Sequence, residues 1–224
     1  MKIKTATYNI HNGFDVKYDY SILAEDILNE GAEIVALEEV DQFTARNGNK
    51  DTMAILSEKT GYKYYKFAAA IDYKGGEYGI AILSKHPIAD TEIISLPTTR
   101  EGEEKRKCLH AKIDVNGSLL DYFAAHCDQK SIREQLSKIN ESTSKCPVFV
   151  LAGDFNVQES EKFSVISNSY SLNNAPTKII TTADNYSFDN FVLSNGIKAE
   201  KVYAKNTKHS DHYIFVCELS IPLE

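Results

Sequence analysis

Runs of strand-length apolar sequence recur along this chain, and six of them end or begin on a carboxylate, carboxamide or imidazole. "TATYNIHNG" closes on Asn9, followed by His11, Asn12 and Gly13; "IVALEEV" closes on Glu38 and Glu39. "DYFAAHCD" reaches His126 and Asp128, and "VLAGDFNVQE" reaches Asp154 and Asn156. "NYSFDNFVLS" opens a strand at Asp189, and "HSDHYIF" opens one at Asp211 and His212. Strand interiors are almost free of such groups, because an apolar core penalises polar atoms without partners. Residues two apart on extended backbone face one side, so Asp154 and Asn156 are expected to point together beyond their strand. Alone, Gly-Asp-Phe-Asn reads equally as a strand followed by an Asx-type turn. Its recurrence in kind at five other strand ends favours a shared crevice, the place where α/β sheets bind ligands.

Hydrophobic periodicity orders the elements. A first strand is predicted over 2–9 and a helix over 19–30, with Ile22, Leu23 and Ile27 as its apolar stripe and Gly31 as its stop. "EIVALEEV" is apolar on both faces and therefore a central strand. A second helix runs from an Asp51 N-cap to Gly61. Strands follow over 63–69, 79–84, 88–95, 107–114 and 119–126. "SIREQLSKI" spaces Ile132, Leu136 and Ile139 as a third helix, and the strand ending at Asp154 comes next. The last strands fall near 189–194, 198–204 and 212–219. Both halves mix helix–strand alternation with hairpins. The expected fold is an α/β four-layer sandwich: two mixed sheets face to face, helices outside. No linker, repeat or low-complexity stretch divides residues 1–224, so one domain is expected.

The formal net charge of −7 argues against a protein held on nucleic acid by a broad basic face. It leaves room for an enzyme that meets phosphate through a metal ion. Two local basic groups, Lys105–Lys107 and Lys198, Lys201, Lys205 and Lys208, read as solvated edges. Cys108, Cys127, Cys146 and Cys217 show no C-x-x-C or finger spacing, which fits a reduced cytoplasmic protein. No stretch has the ~20 apolar residues of a membrane span, and a monomer is expected.

If the polar strand ends meet, they form an oxygen-rich pocket containing two histidines. Such oxygen donors, without Cys–His pairs, suit Mg²⁺ or Mn²⁺. The ordered set "TYN", "LEEV", "YGIAILSKHPI", His126-x-Asp128, "GDFN", "FDNF" and "SDH" resembles the endonuclease/exonuclease/phosphatase superfamily of metal-dependent phosphodiesterases and phosphatases, from Thr7 to Tyr213. The resemblance implies a site where the two sheets open. It implies that Asn9, Glu39 and Asp211 bind the metal, and that Asp154 orients or deprotonates the attacking water. It implies that Asn156 and His212 contact the phosphate, that Asp189 orients His212, and that His126 is a second donor and proton donor. These residue types suit phosphoryl transfer, in which charge grows on equatorial and leaving oxygens.

Several positions depart from the family's pattern. Glu38 stands where Gln is usual and reads as a neighbour of the metal site. Ile80 stands in place of Asn, and Asn190 in place of an aromatic. The Val157–Phe188 segment is short, at 32 residues, which argues against a grip on long duplex or a large lipid headgroup. His11 reads equally as substrate contact or loop residue, His110 as structural, and His86 and His209 as loop residues. The expected activity is a phosphodiesterase or nuclease acting on nucleic acid or nucleotides. Its alternative is a phosphatase or phosphodiesterase of small or lipid-derived phosphates. A binding module on an inactive scaffold is disfavoured by the complete set of groups. No G-x-S-x-G, P-loop or H-E-x-x-H occurs.

Overall fold

A computed structural model describes residues 1–173 and 178–222. Strand β1 (Lys2–Asn9) leads into helix α1 (Tyr20–Glu30), strand β2 (Ile34–Gln42) and helix α2 (Thr52–Thr60). Strands β3 (Tyr64–Tyr73), β4 (Gly76–Ser84), β5 (Ile88–Leu96), β6 (Arg106–Val115) and β7 (Ser118–His126) follow. Helix α3 (Ile132–Thr143) precedes β8 (Phe149–Asp154), β9 (Ser169–Ser171), β10 (Asp189–Ser194), β11 (Lys198–Lys205) and β12 (Ile214–Ser220). Asp19 and Asp51 cap α1 and α2 by accepting from the Ser21 and Ala54 amides, and Gly31 and Gly61 end those helices.

The strands form two mixed six-stranded sheets, ordered β11-β12-β1-β2-β4-β3 and β5-β6-β7-β8-β10-β9. Three apolar cores separate four layers. Ile3, Ile34, Ile82, Leu109, Tyr122, Val150, Phe191 and Phe215 fill the space between the sheets. Leu23, Ile27, Met53 and Leu56 of α1 and α2 cover the first sheet, and Leu136 and Ile139 of α3 cover the second. The four-layer sandwich is therefore the observed fold.

Two expectations are corrected. The last strand begins at Ile214, not 212, and the short strand β9 lies in the Val157–Phe188 segment, where no strand is expected. Ser169–Ser171 is too short and polar to carry a strand signal. It pairs only because β10 offers it an edge.

Gly153 fixes how closely β7 and β8 approach. A Cβ there would lie 1.9 Å from the Ala125 carbonyl oxygen, so only glycine fits before Asp154.

Candidate active site

Alternation along the strands builds the site. Thr5, Thr7 and Asn9 continue the face of β1 that Ile3 turns toward the opposite sheet. Ala36 precedes Glu38 on the same face of β2, Ala124 precedes His126 on β7, Ala152 precedes Asp154 on β8, and Phe191 follows Asp189 on β10. Each polar residue thus occupies the next inward position after the apolar core ends. Register brings them level: Asn9 pairs with Glu38, His126 with Asp154, and Asp154 with Asp189.

Glu39 needs a further device, since its neighbour Glu38 already faces inward. The β2–β4 register shifts between Leu37 and Val40, and Glu39 has φ of 57°. This bulge lets two consecutive carboxylates reach the cleft. A non-glycine residue in that region is strained, a feature that accumulates at functional sites. Asn156 likewise has φ of 54°, held by its own amide donating to Asp154 Oδ1 at 2.9 Å.

Asp154 is the centre of the cluster. Asn9 Nδ2 donates to its Oδ2 at 3.0 Å, and His126 Nε2 and His212 Nε2 lie 3.5 and 3.6 Å from the same oxygen. His212 Nδ1 bonds Asp189 Oδ2 at 2.9 Å. Burial, the largest influence on His212, lowers its pKa, but Asp189, Asp154 and Asp211 outweigh it and raise it to about 10. Burial pushes the Asp154 carboxyl up to about 6, with Asp189 adding to the rise while His212 opposes it. Glu38 is fully buried, accepts from Thr7 Oγ1 at 2.9 Å, and is held well above the carboxylate range, first by burial and then by Asp189.

Arg106 joins this group although its basic run reads as a solvated edge. Its Nη1 lies 2.8 and 2.9 Å from the two ring nitrogens of His126, and its side chain is 15% exposed. Burial and then Arg106 hold His126 well below the usual imidazole range, so it is neutral. Asn156 Nδ2 sits 3.2 Å from His126 Nε2 and donates to the Cys127 carbonyl at 3.1 Å.

The three metal-ligand expectations fare differently in geometry. Asn9 Oδ1 accepts the His11 amide at 3.0 Å, while its Nδ2 bridges Glu39 at 3.2 Å and Asp154. Its Nδ2 thus offers the cleft a hydrogen-bond donor, while Oδ1, accepting one bond, keeps a second lone pair for a ligand. Asp211, its side chain 53% exposed, gathers with His11 and Asp15 into a group whose ligand atoms lie within 4.8 Å of one another. Glu39 is outside that group and, among the described residues, takes a side-chain bond from Asn9 alone. Carboxylate oxygens of this kind fit a hard divalent cation.

His209 and His86, read as loop residues, have partners. His209 Nδ1 lies 3.0 Å from both Asp26 oxygens, and Tyr8 donates to Asp26 Oδ2 at 3.0 Å. This ties the loop carrying Ser210–His212 to α1. Ser210 Oγ donates to the Asn9 carbonyl at 2.7 Å and accepts the His212 amide at 3.2 Å. His86 Nε2 lies 2.9 Å from Glu33 Oε2.

Residues 6–212 match the endonuclease/exonuclease/phosphatase family. Among curated proteins, none matches the chain. An endonuclease/exonuclease/phosphatase from Beutenbergia cavernae has a similar structure, with TM-score 0.82, 20% identity, and coverage of 98% of this chain and 72% of that one. D. rerio TDP2 complexed with a single-strand DNA product gives TM-score 0.75 at 17% identity, covering 98% and 99% of the two chains. A Bacteroides thetaiotaomicron mannosyl-6-phosphatase gives TM-score 0.75 at 16% identity, covering 98% and 100%.

Proposed function

The chain belongs to the endonuclease/exonuclease/phosphatase family, and from that premise we propose a Mg²⁺-dependent phosphodiesterase or nuclease acting on nucleic acid or nucleotides, as a single-domain cytoplasmic monomer. Members of the family are phosphoester hydrolases and are generally dependent on a divalent metal. The observation that carries the reading is Asp154, buried between two histidines of opposite charge state and hydrogen-bonded to Asn9. The four cysteines are free, which suits a reducing compartment.

In this reading Asp154 accepts a proton from the attacking water, and Asn9 and Asn156 hold its carboxylate in place. His212 donates from Nε2 to a phosphate oxygen, and Asp189 keeps it protonated and oriented through Nδ1. His126 contributes a neutral imidazole, which can donate one N–H while its other nitrogen accepts from Arg106. Asn156 and Arg106 add donors along the same wall, where charge develops on the phosphoryl group. Glu39 and Asp211 would hold the divalent ion, which supplies positive charge against the growing phosphoryl charge.

Asn9 remains a candidate ligand through Oδ1, and its Nδ2 positions Glu39 and Asp154. TDP2 in complex with a DNA product supports the nucleic-acid reading. The neighbour named as a mannosyl-6-phosphatase supports the second, a phosphatase or phosphodiesterase of small or lipid-derived phosphates.

The test is hydrolysis of plasmid, single-stranded DNA, RNA, bis-p-nitrophenyl phosphate and inositol phosphates, with and without EDTA. EDTA-sensitive cleavage of a nucleic acid, with affinity falling steeply as salt rises, supports the reading. Cleavage confined to inositol phosphates moves the chain to the second reading. Activity on none, with or without Mg²⁺, overturns both.

A further inference from the structure

The outer face of the second sheet carries a side-chain cluster that the cleft does not use. His110 on β6, Asp121 on β7 and Cys146 just after α3 each offer a ligand atom, all within 4.8 Å of one another. Asp121 lies five residues before His126 on β7, about 16 Å along the strand, and its odd position turns it to the α3 side with Phe123. His110 Nε2 bonds Asp121 Oδ1 at 2.6 Å. The imidazole stacks on Phe123 at 4.1 Å with planes 6° apart, which fixes its orientation. Its other nitrogen, Nδ1, has Glu92 Oε2 at 3.9 Å.

We propose that His110, Asp121 and Cys146 form a Zn²⁺ site, with Glu92 orienting the imidazole from its far nitrogen. Three features carry this. First, the donor set mixes thiolate, imidazole and carboxylate, which suits a borderline-soft tetrahedral ion and contrasts with the carboxylate oxygens offered by Glu39 and Asp211. Second, the exposed Glu92 side chain, its Oε2 3.9 Å from Nδ1, can close onto that nitrogen as the carboxylate partner usual behind a zinc-bound imidazole. Third, Phe123 stacks on the imidazole and fixes the ring with Nε2 turned to Asp121, so two of the three donors are held in place before any ion arrives.

Metal–ligand bonds of about 2.0–2.3 Å place tetrahedral donor atoms roughly 3.3–3.8 Å apart. Loading would therefore spread the His110–Asp121 pair slightly and draw the thiol inward. A catalytic relay fits less well. Such a histidine must lie between acid and thiol, whereas here Nε2 faces Asp121 and Nδ1 faces Glu92.

Two groups hold the cluster without the ion. Lys112 Nζ lies 3.1 Å from Asp121 Oδ1, and Cys146 Sγ donates to the Ser142 carbonyl at 3.6 Å. Burial and then Asp121 push the thiol up to about 11. Zinc binding releases the thiol proton to solvent and displaces the Lys112 ammonium, whose side chain is 42% exposed and free to swing out.

The experiment loads the metal-free full chain with Co²⁺ in excess Mg²⁺ and then titrates Zn²⁺. One equivalent of tetrahedral Co²⁺ with a thiolate charge-transfer band, displaced by Zn²⁺, is expected. Cys146→Ser abolishes that band. Asp121→Asn weakens Zn²⁺ binding at least tenfold, and Glu92→Gln weakens it about tenfold or less. Zn²⁺ raises the thermal midpoint of the wild type and leaves Cys146→Ser unchanged. Circular dichroism checks that each variant is folded. Absence of the thiolate band in the wild type overturns the site. So does Zn²⁺ affinity that Asp121→Asn leaves unaltered.

Discussion

The two walls of the cleft hold their histidines in opposite charge states. His212 and His126 are both buried, at 9% and 3% exposure, so desolvation depresses both imidazoles. Their charged neighbours make the difference. His212 faces Asp189, Asp154 and Asp211 and stays cationic, whereas His126 faces the Arg106 guanidinium and stays neutral. One residue type supplies two chemistries because the strands that deliver it end beside opposite charges. The wall of β10 and the loop before β12 gathers carboxylates around a proton. The wall of β6 and β7 offers donors with no carboxylate of its own against the ring.

The sharpest way to break this contrast is to remove its charged members. Asp154→Ala or His212→Ala should lower kcat by 10²–10⁴-fold while the circular dichroism spectrum stays native. A folded His212→Ala enzyme within threefold of wild type would leave the asymmetry without catalytic meaning. Arg106→Met attacks the other wall. His126 should then titrate closer to neutrality in an NMR experiment, and kcat/KM should fall at least tenfold. A His126 titration unmoved by the substitution would assign its neutrality to burial alone.

Glu39→Ala removes a carboxylate without disturbing either histidine's partner. The Mg²⁺ concentration for half-maximal activity should rise about tenfold, with kcat partly restored at saturation. An unchanged metal requirement counts against its role as a ligand.

In chelator, the histidine contrast also predicts how stability depends on pH. His212 has a folded pKa raised to about 10 against about 6.5 unfolded. Its contribution is fully present below about pH 6.5 and is lost as pH rises through about 10, because the native state binds the extra proton. Urea melts of wild type and His212→Asn at pH 6.5 and 9.5 should differ in slope, with the wild type losing up to a few kcal/mol more. Parallel behaviour would mean that His212 is not charged in the fold.

The strand-end residues were legible because parity reveals them. Thr5 and Thr7 before Asn9, Ala124 before His126 and Ala152 before Asp154 form two-residue series that a reader can extend by one step. Glu39 lies off its series, and only the backbone bulge at Leu37–Val40 turns it inward. His212 shares the parity of Ile214 and Val216, which pack toward the helices. Its bridge to Thr182 and its bond to Asp189 bring it to the cleft instead. Arg106 shares the parity of Cys108 on the α3 side, and its long side chain reaches His126 only because β6 begins there. The partnership of His209 with Asp26 spans 183 residues, and no local pattern encodes it.

The smallest expected effect concerns Glu38, which sits behind the carboxylate-rich wall. Among the described residues, its Oε2 and Asp189 Oδ1 are both buried without a hydrogen-bond partner, and each is a costly orphan if ionised. Burial and then Asp189 raise the Glu38 carboxyl well above its ordinary range and so favour its neutral form, an acceptor from Thr7 with a proton to spare. Glutamine has nearly the same shape, accepts the same Thr7 hydroxyl and donates N–H without titrating. Glu38→Gln should therefore keep kcat within about threefold. Because a raised carboxyl pKa destabilises the fold as pH rises from the unfolded carboxyl's value of about 4.5, the variant should also flatten the stability profile above that pH relative to wild type. Glu38→Ala should cost more, since it strands the Thr7 hydroxyl and opens a void. If Glu38→Gln instead lost activity more than tenfold, an ionised Glu38 would have to be part of the negative wall. The charge that keeps His212 protonated would then come from one more carboxylate than Asp189, Asp154 and Asp211.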